Sequence, residues 1–403
     1  MKSKPELIAD QARFEEYCGQ WRATGRFAFD TEFIRDDTYD ARLCLIQVCT
    51  DGDAVLVDPT ADLDLSPFWD LVTDESVQTV VHAGKEDFEV CLRACGKPPR
   101  NIFDVQIGAG FVGFGYPLSL SRLVSVVLHH RIGKGQTLTN WLKRPLTNEQ
   151  LQYAIEDVKY LPAIFDVLHE KLTEFQRVDW AREEFAHLED PATYARPVQQ
   201  RIFKVKGAKK LDSLGLVVLE KLLEWRDRWA KEKNRPPRAL VRDDILVSIA
   251  MRRPKKASDL EVMRGFPQSP RSGVVQDVLR IIETASATPR DQCPTAYTPR
   301  EDSPMMKAVM NILSAFVRAT CHEENVGHDL VGSTQRLQEL VDHLLDQSDE
   351  IPILLTGWRE KFIGRRLVDL LEGRCELHLS GWPHNLRLDV VSHPRKKKSL
   401  PTQ

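Results

Sequence analysis

The chain has 403 residues, 42% of them hydrophobic and 29% charged, with a formal net charge of −3. That length predicts two or three domains rather than one core, and no apolar run is long enough to cross a bilayer. The polar start Met1-Lys-Ser-Lys-Pro-Glu6 lacks the apolar centre of a secretion signal, and the eight cysteines include no C-x-x-C pair. A cytoplasmic protein with buried free thiols is expected, without disulfides or a zinc site.

The small net charge hides an asymmetry. Residues 196–300 hold 23 Lys/Arg against 12 Asp/Glu, while the rest of the chain holds 33 against 47. An acidic, cation-seeking portion beside a basic one suits a protein that grips a polyanion with one part and processes it with the other. A solvated basic helical surface would give the same counts.

In chain order, the spacing over residues 10–22 predicts an amphipathic helix. Short strand-like runs follow at 27–33, 43–49 and 54–57, joined by polar turns, as in a strand meander. The first run is Phe27-Ala-Phe-Asp30-Thr-Glu32-Phe33. Asp30 and Glu32 are two positions apart, so a strand turns both to one face. Two carboxylates set among phenylalanines would repel each other and lose hydration. A divalent cation relieves both problems, and oxygen ligands suit magnesium or manganese. Taken alone, the pair reads equally well as a solvated strand end.

Strands and helices then alternate: a helix at 65–72, a strand at 79–81, a helix at 85–94 and an extended piece at 101–103. This predicts an α/β domain with the opening strand central. His82-Ala-Gly-Lys-Glu-Asp87 places His82 at a strand exit and Asp87 on the first helical turn, with Gly84 easing the passage. An Asp there can equally serve the helix end. A strong helix over 148–161, capped by Thr147 or Asn148, sets Tyr153 and Asp157 on one face, about 6 Å apart at Cβ. Pro162 kinks or restarts it.

Three segments, FDTEF, HAGKEDFEV and QYAIEDVKYL, resemble in order and spacing the three motifs of the DEDDy family of 3′→5′ exonucleases. The stretches NIFDVQIGAGFVG and KGQTLTNWLKRPLTNEQ resemble ribonuclease D in particular. The resemblance implies an RNase H-like α/β exonuclease domain over 1–190, a mixed central sheet flanked by helices. It implies that Asp30, Glu32, Asp87 and Asp157 hold two divalent ions, Mg2+ or Mn2+, and that Tyr153 orients the attacking water. His82, Lys134, Gln136 and Thr137 are candidate substrate contacts, although His82 could equally brace the Asp87 turn. Leu138, Thr139 and Asn140 stand where ribonuclease D often carries an Arg and an acidic residue. The glycines of 108–115 follow no phosphate-loop pattern and read as turns and close packing.

A breaker-rich linker at 190–197 leads into an all-helical pattern. The string EWRDRWAKEKNRPPRALVRDDILVSIAMRRPKKASDLEVMRGF resembles the HRDC domain, expected here over 205–290. Lys204, Lys206, Lys209, Lys210, Arg252, Arg253, Lys255 and Lys256 are candidate phosphate contacts, each equally readable as a solvated charge. After a second linker, a second HRDC-like helical domain is expected over 304–380, then a flexible basic tail over 381–403. The implied function is a 3′→5′ exoribonuclease that releases 5′-mononucleotides from RNA, including tRNA precursors, and acts as a monomer away from membranes. A single-stranded DNA exonuclease and a non-catalytic RNA-binding adaptor are the alternatives. The presence of all four acids and the tyrosine argues against the adaptor.

Overall fold

A computed structural model describes residues 6–34, 38–133, 140–195, 202, 204–267, 273–294, 303–346, 350–381, 383–384 and 387–392. The first half runs β1 (Leu7–Ile8), α1 (Gln11–Thr24), β2 (Arg26–Ile34), β3 (Arg42–Thr50), β4 (Asp53–Val57), α2 (Ser66–Val72), β5 (Gln78–Val81), α3 (Lys85–Cys95) and β6 (Ile102–Asp104). Helices α4 (Val105–Gly110), α5 (Leu120–Val127), α6 (Asn148–Lys159), α7 (Leu161–Glu174) and α8 (Val178–Glu189) complete it. The six strands form one sheet in the order β1-β4-β3-β2-β5-β6. β2 lies inside it, antiparallel to β3 and parallel to β5.

Strand alternation decides what β2 offers to each side. Phe27 and Phe29 point to one face and pack edge-on against Phe68 of α2, and Phe29 also meets Phe88 of α3. Asp30 and Glu32 therefore point to the other face, where α6 crosses β2, β3 and β4. The acids are not set among the phenylalanines, as the sequence suggested. The aromatic side chains pad the opposite side of the same strand.

Local signals account for the helix ends. Asp10 caps α1 by accepting from the Arg13 amide, and Gly25, at φ 67°, closes it in the left-handed region. Thr147 caps α6 in a reciprocal capping box with Gln150. α6 ends at Lys159, and Pro162 falls in the first turn of α7, where its missing N–H is harmless. Pro162 thus restarts the helix.

The helices Ser213–Lys233, Asp243–Arg252, Ala257–Glu261 and Val274–Ser286 enclose a core of their own around Leu219, Leu222, Leu246, Ile249, Leu260 and Val278. The last helices differ. Pro304–Glu323, Thr334–Asp346 and Arg365–Leu371, the last preceded by a π turn at Glu360–Gly364, share one continuous core with the sheet domain. Trp358 stacks on Trp180 with ring centroids 5.4 Å apart, and meets Phe111 edge-on at 4.9 Å. Gly110 lies in this seam. A Cβ there would sit 2.4 Å from Leu330 Cδ1, and the Gly110 carbonyl accepts from the Gly327 amide at 2.6 Å.

The chain end departs from expectation. Cys375–Ser380 (β7) and Arg387–Ser392 (β8) form an antiparallel hairpin, so the expected tail from 381 contains a paired strand. The alternation of Leu377, Leu388 and Val390, which pack onto the main core, is the physical reason. Residues 393–403 lie outside the described residues.

Candidate active site

Three elements, β2, the start of α3 and α6, bring their acids together around Asp30 and Glu32. β5 lies beside β2 and ends at Val81, and the chain turns through His82–Gly84 into α3. Ala83 has φ 56° in this turn, and a Cβ on Gly84 would come within 2.6 Å of Val81 Cγ2. Only glycine fits that passage. Asp104, buried at the end of β6, accepts from the Ala83 and Gly84 amides at 3.1 Å each. It also caps α4 through the Gln106 amide at 2.9 Å. One carboxylate thus holds the turn that launches α3, and with it Asp87 in the first turn. The Thr31 hydroxyl, on β2 between Asp30 and Glu32, donates to the Asp87 carboxylate.

α6 is seated by a second device. Leu45, Leu56, Trp141, Leu146, Leu151 and Ala154 form a small apolar cluster beneath it. Arg144 forks onto Asp58, with Nε and Nη2 each 2.6 Å from a carboxylate oxygen. The same guanidinium donates to the carbonyls of Trp141 and Cys44 at 2.7 and 2.8 Å. The segment entering α6 is therefore tied to β3 and to the end of β4. Tyr153 and Asp157, four residues apart, face β2, with the Trp141 ring 6.1 Å from that of Tyr153.

The electrostatics reveal how closely the acids are gathered. Burial pushes the Asp30 carboxyl well above the usual carboxylate range, and the charges of Asp87, Asp157 and Glu32 push it further. Burial, then Asp157 and Asp87, lift Glu32 to about 8. Asp87 and Asp157 rise to about 7 through burial, partly offset by hydrogen bonds from Thr31 and Tyr153 respectively. The Tyr153 phenol is raised by burial, then by Asp157, Glu32 and Asp30, so it stays protonated at neutral pH. Four carboxylates from β2, α3 and α6 thus lie within one another's fields.

Such a set suits a hard divalent cation. All donors are oxygens, and Asp157 Oδ2 is buried without a hydrogen-bond partner among the described residues. As the side chains stand, no three His, Cys, Asp or Glu among the described residues are drawn in around a single point. Asp87 is turned onto Thr31 and Asp157 onto Tyr153.

The remaining candidates separate. His82 Nε2 lies 2.9 Å from the Leu118 carbonyl, and the buried Asp104 carboxylate feels its charge. Lys134, Gln136 and Thr137 lie outside the described residues. Arg253 is paired with Asp212 at 2.9 Å. A cleft beside the start of α3 is lined by Lys85, Thr193, Lys204 and Arg238, joining the sheet domain to the 213–286 helices. Sequence reasoning passed over Thr31, Asp58, Asp104 and Arg144. It also passed over Gln47, although a lone amide in the apolar run LCLIQVC was a visible signal.

Known proteins resemble this chain over most of its length. Residues 5–173 match a 3′-5′ exonuclease family model, and residues 215–282 match the HRDC domain. The chain is 33% identical to ribonuclease D of Sphingobium indicum over 374 residues, covering 91% of this chain and 95% of that protein. It is 29% identical to ribonuclease D of Bartonella henselae over 384 residues, covering 95% and 94%. Its fold resembles the crystal structure of Escherichia coli RNase D with a TM-score of 0.80 at 26% identity. That match covers 92% of this chain and 99% of the other.

Proposed function

This chain belongs to the ribonuclease D family, and on that premise we propose that Asp30, Glu32, Asp87, Asp157 and Tyr153 are its catalytic residues, acting with two divalent ions. The enzyme is a 3′→5′ exoribonuclease. The observation that carries the assignment is the convergence of four carboxylates from three elements, each with its pKa raised, beside a protonated phenol.

Divalent ions, when bound, make a nucleophile from water near neutral pH and stabilise the departing oxyanion. The four acids would hold them. Asp30 and Glu32 are fixed by the central strand, while Asp87 and Asp157 accept hydrogen bonds from the Thr31 and Tyr153 hydroxyls. Tyr153 is neutral and packed beside Trp141. It can hydrogen-bond the attacking water without adding a fifth negative charge. Water adds to the phosphorus of the last phosphodiester, the bond to the 3′ oxygen of the preceding nucleotide breaks, that oxygen takes up a proton, and a 5′-mononucleotide leaves. His82 serves as a brace in this reading, because its ring nitrogen is already engaged with the Leu118 carbonyl.

The substrate is RNA with a single-stranded 3′ end, tRNA precursors among them. The cleft of Lys85, Lys204 and Arg238 would guide the body of that RNA past the site. All eight cysteines are free thiols, in keeping with a reducing cytoplasm, and the enzyme is proposed to act as a monomer. Among the described residues no helix is long and apolar enough to cross a membrane.

The test is hydrolysis of end-labelled single-stranded RNA and DNA with Mg2+, with Mn2+ and with EDTA, using the wild type, Asp30→Asn and Asp157→Asn. Stepwise loss of 3′ nucleotides from RNA, abolished by EDTA and by both substitutions, is expected. Hydrolysis that survives chelation would overturn the metal assignment, and a preference for DNA would overturn the substrate.

A further inference from the structure

Gln47 is fully buried on β3, and neither its Nε2 nor its Oε1 has a hydrogen-bond partner among the described residues. A primary amide left unpaired inside an apolar sheet is a standing penalty that a leucine would not incur. Its position explains what it faces. Gln47 is directly opposite Asp30 in the antiparallel β2–β3 register, so the two side chains share one face with neighbouring Cβ atoms. Along β3 the same face carries Leu45 and Cys49, and Leu56 sits opposite on β4. Asp30 is thus the polar neighbour that strand pairing gives this amide.

We propose that Gln47 is a positioning residue for Asp30: its Nε2, unpaired among the described residues, would donate to the Asp30 carboxylate once a bound divalent cation keeps it ionised, fixing the orientation in which that carboxylate meets the cation. This rests on the four-carboxylate reading above. The residue type suits the task. An amide offers donors without charge, whereas Lys or Arg would neutralise the carboxylate needed by the cation, and a further acid would add to the repulsion. Groups that hydrogen-bond a ligating carboxylate typically alter metal affinity 10–100-fold.

The test uses the full chain and two readouts, Mn2+ affinity by calorimetry and the melting temperature in EDTA. Gln47→Leu and Gln47→Met remove the amide while keeping a side chain of similar size. Both should weaken Mn2+ binding about tenfold, with the metal-free melting temperature unchanged or raised, since an unpaired buried amide has gone. Weakening of less than threefold in either variant overturns the assignment. So does a fall in the metal-free melting temperature or a failure to fold, either of which makes Gln47 a packing residue. Asp30→Asn, measured in parallel, separates the two levels. If it leaves Mn2+ affinity intact, the metal reading itself fails. If it abolishes binding while the Gln47 variants bind normally, only the role of Gln47 is lost.

Discussion

Arg359, fully buried near the end of the chain, forks onto Glu184 of α8, with Nη1 2.6 Å from Oε1 and Nη2 2.9 Å from Oε2. The same guanidinium donates to the Leu330 carbonyl through Nε and Nη2. Three parts of the chain are joined by one side chain. Removing one partner of such a pair strands the other charge and costs about 3–5 kcal/mol. Arg359→Ala should therefore lower the melting temperature of the whole sheet domain. A change of under 1 °C would show that the pair is dispensable. Deleting everything after 190 would uncover Trp180 and Phe111, so the basic module is better removed by excising 205–290 alone.

Tyr153→Phe keeps the ring against Trp141 but removes the hydroxyl. Turnover should fall by about 10²–10³-fold, the scale of losing one aligned hydrogen bond to a reacting group, with RNA affinity nearly unchanged. Equal losses in turnover and binding, measured by single-turnover kinetics and fluorescence titration, would remove the assigned role.

The raised carboxyls make the metal-free protein sensitive to pH. Glu32, at about 8, and Asp87 and Asp157, at about 7, bind protons in the fold that the unfolded chain has released. Stability in EDTA should thus fall as pH rises from about 4 through 8. Mg2+ should restore it most at the upper end, with proton release on binding. Melting curves across this range, with and without Mg2+, check both signs. A metal-free protein that gains stability over the same window would contradict the clustering.

Asp104 acts at a distance from the chemistry. Asp104→Ala would leave the Ala83 and Gly84 amides without their acceptor, at about 1–3 kcal/mol each if they stay dry. The turn before α3 should slacken, weakening Mn2+ affinity along with stability. Calorimetry and melting curves on the same sample decide the matter. Normal metal affinity in a destabilised protein would confine Asp104 to a structural part.

Lys85 and Lys204 lie exposed along the cleft beside α3. If they neutralise phosphates, Lys85→Ala/Lys204→Ala should weaken binding of long RNA, and the salt dependence should lose about 0.7 per contact on single strands. Hydrolysis of a dinucleotide should be unaffected. An unaltered salt slope would leave the cleft without a role in binding.

Much of the site was legible as local pattern. The strand period placed Asp30 and Glu32 on one face, and the four-residue step placed Tyr153 beside Asp157. Glycine at 84 and proline at 162 marked a tight passage and a helix restart. The hairpin at 375–392 was also written in alternation, but its basic surroundings obscured it. The longer-range relationships were settled by tertiary structure. Thr31 meets Asp87 across 56 residues, Ala83 meets Asp104 across 21, and Glu184 meets Arg359 across 175. A periodicity records which face of an element is apolar and says nothing about which distant element covers it. The sequence by itself determined which elements form and which residue types they present. Chain closure in three dimensions decided that the last helices join the catalytic core, that the phenylalanines of β2 turn away from its acids, and that Gln47 faces Asp30.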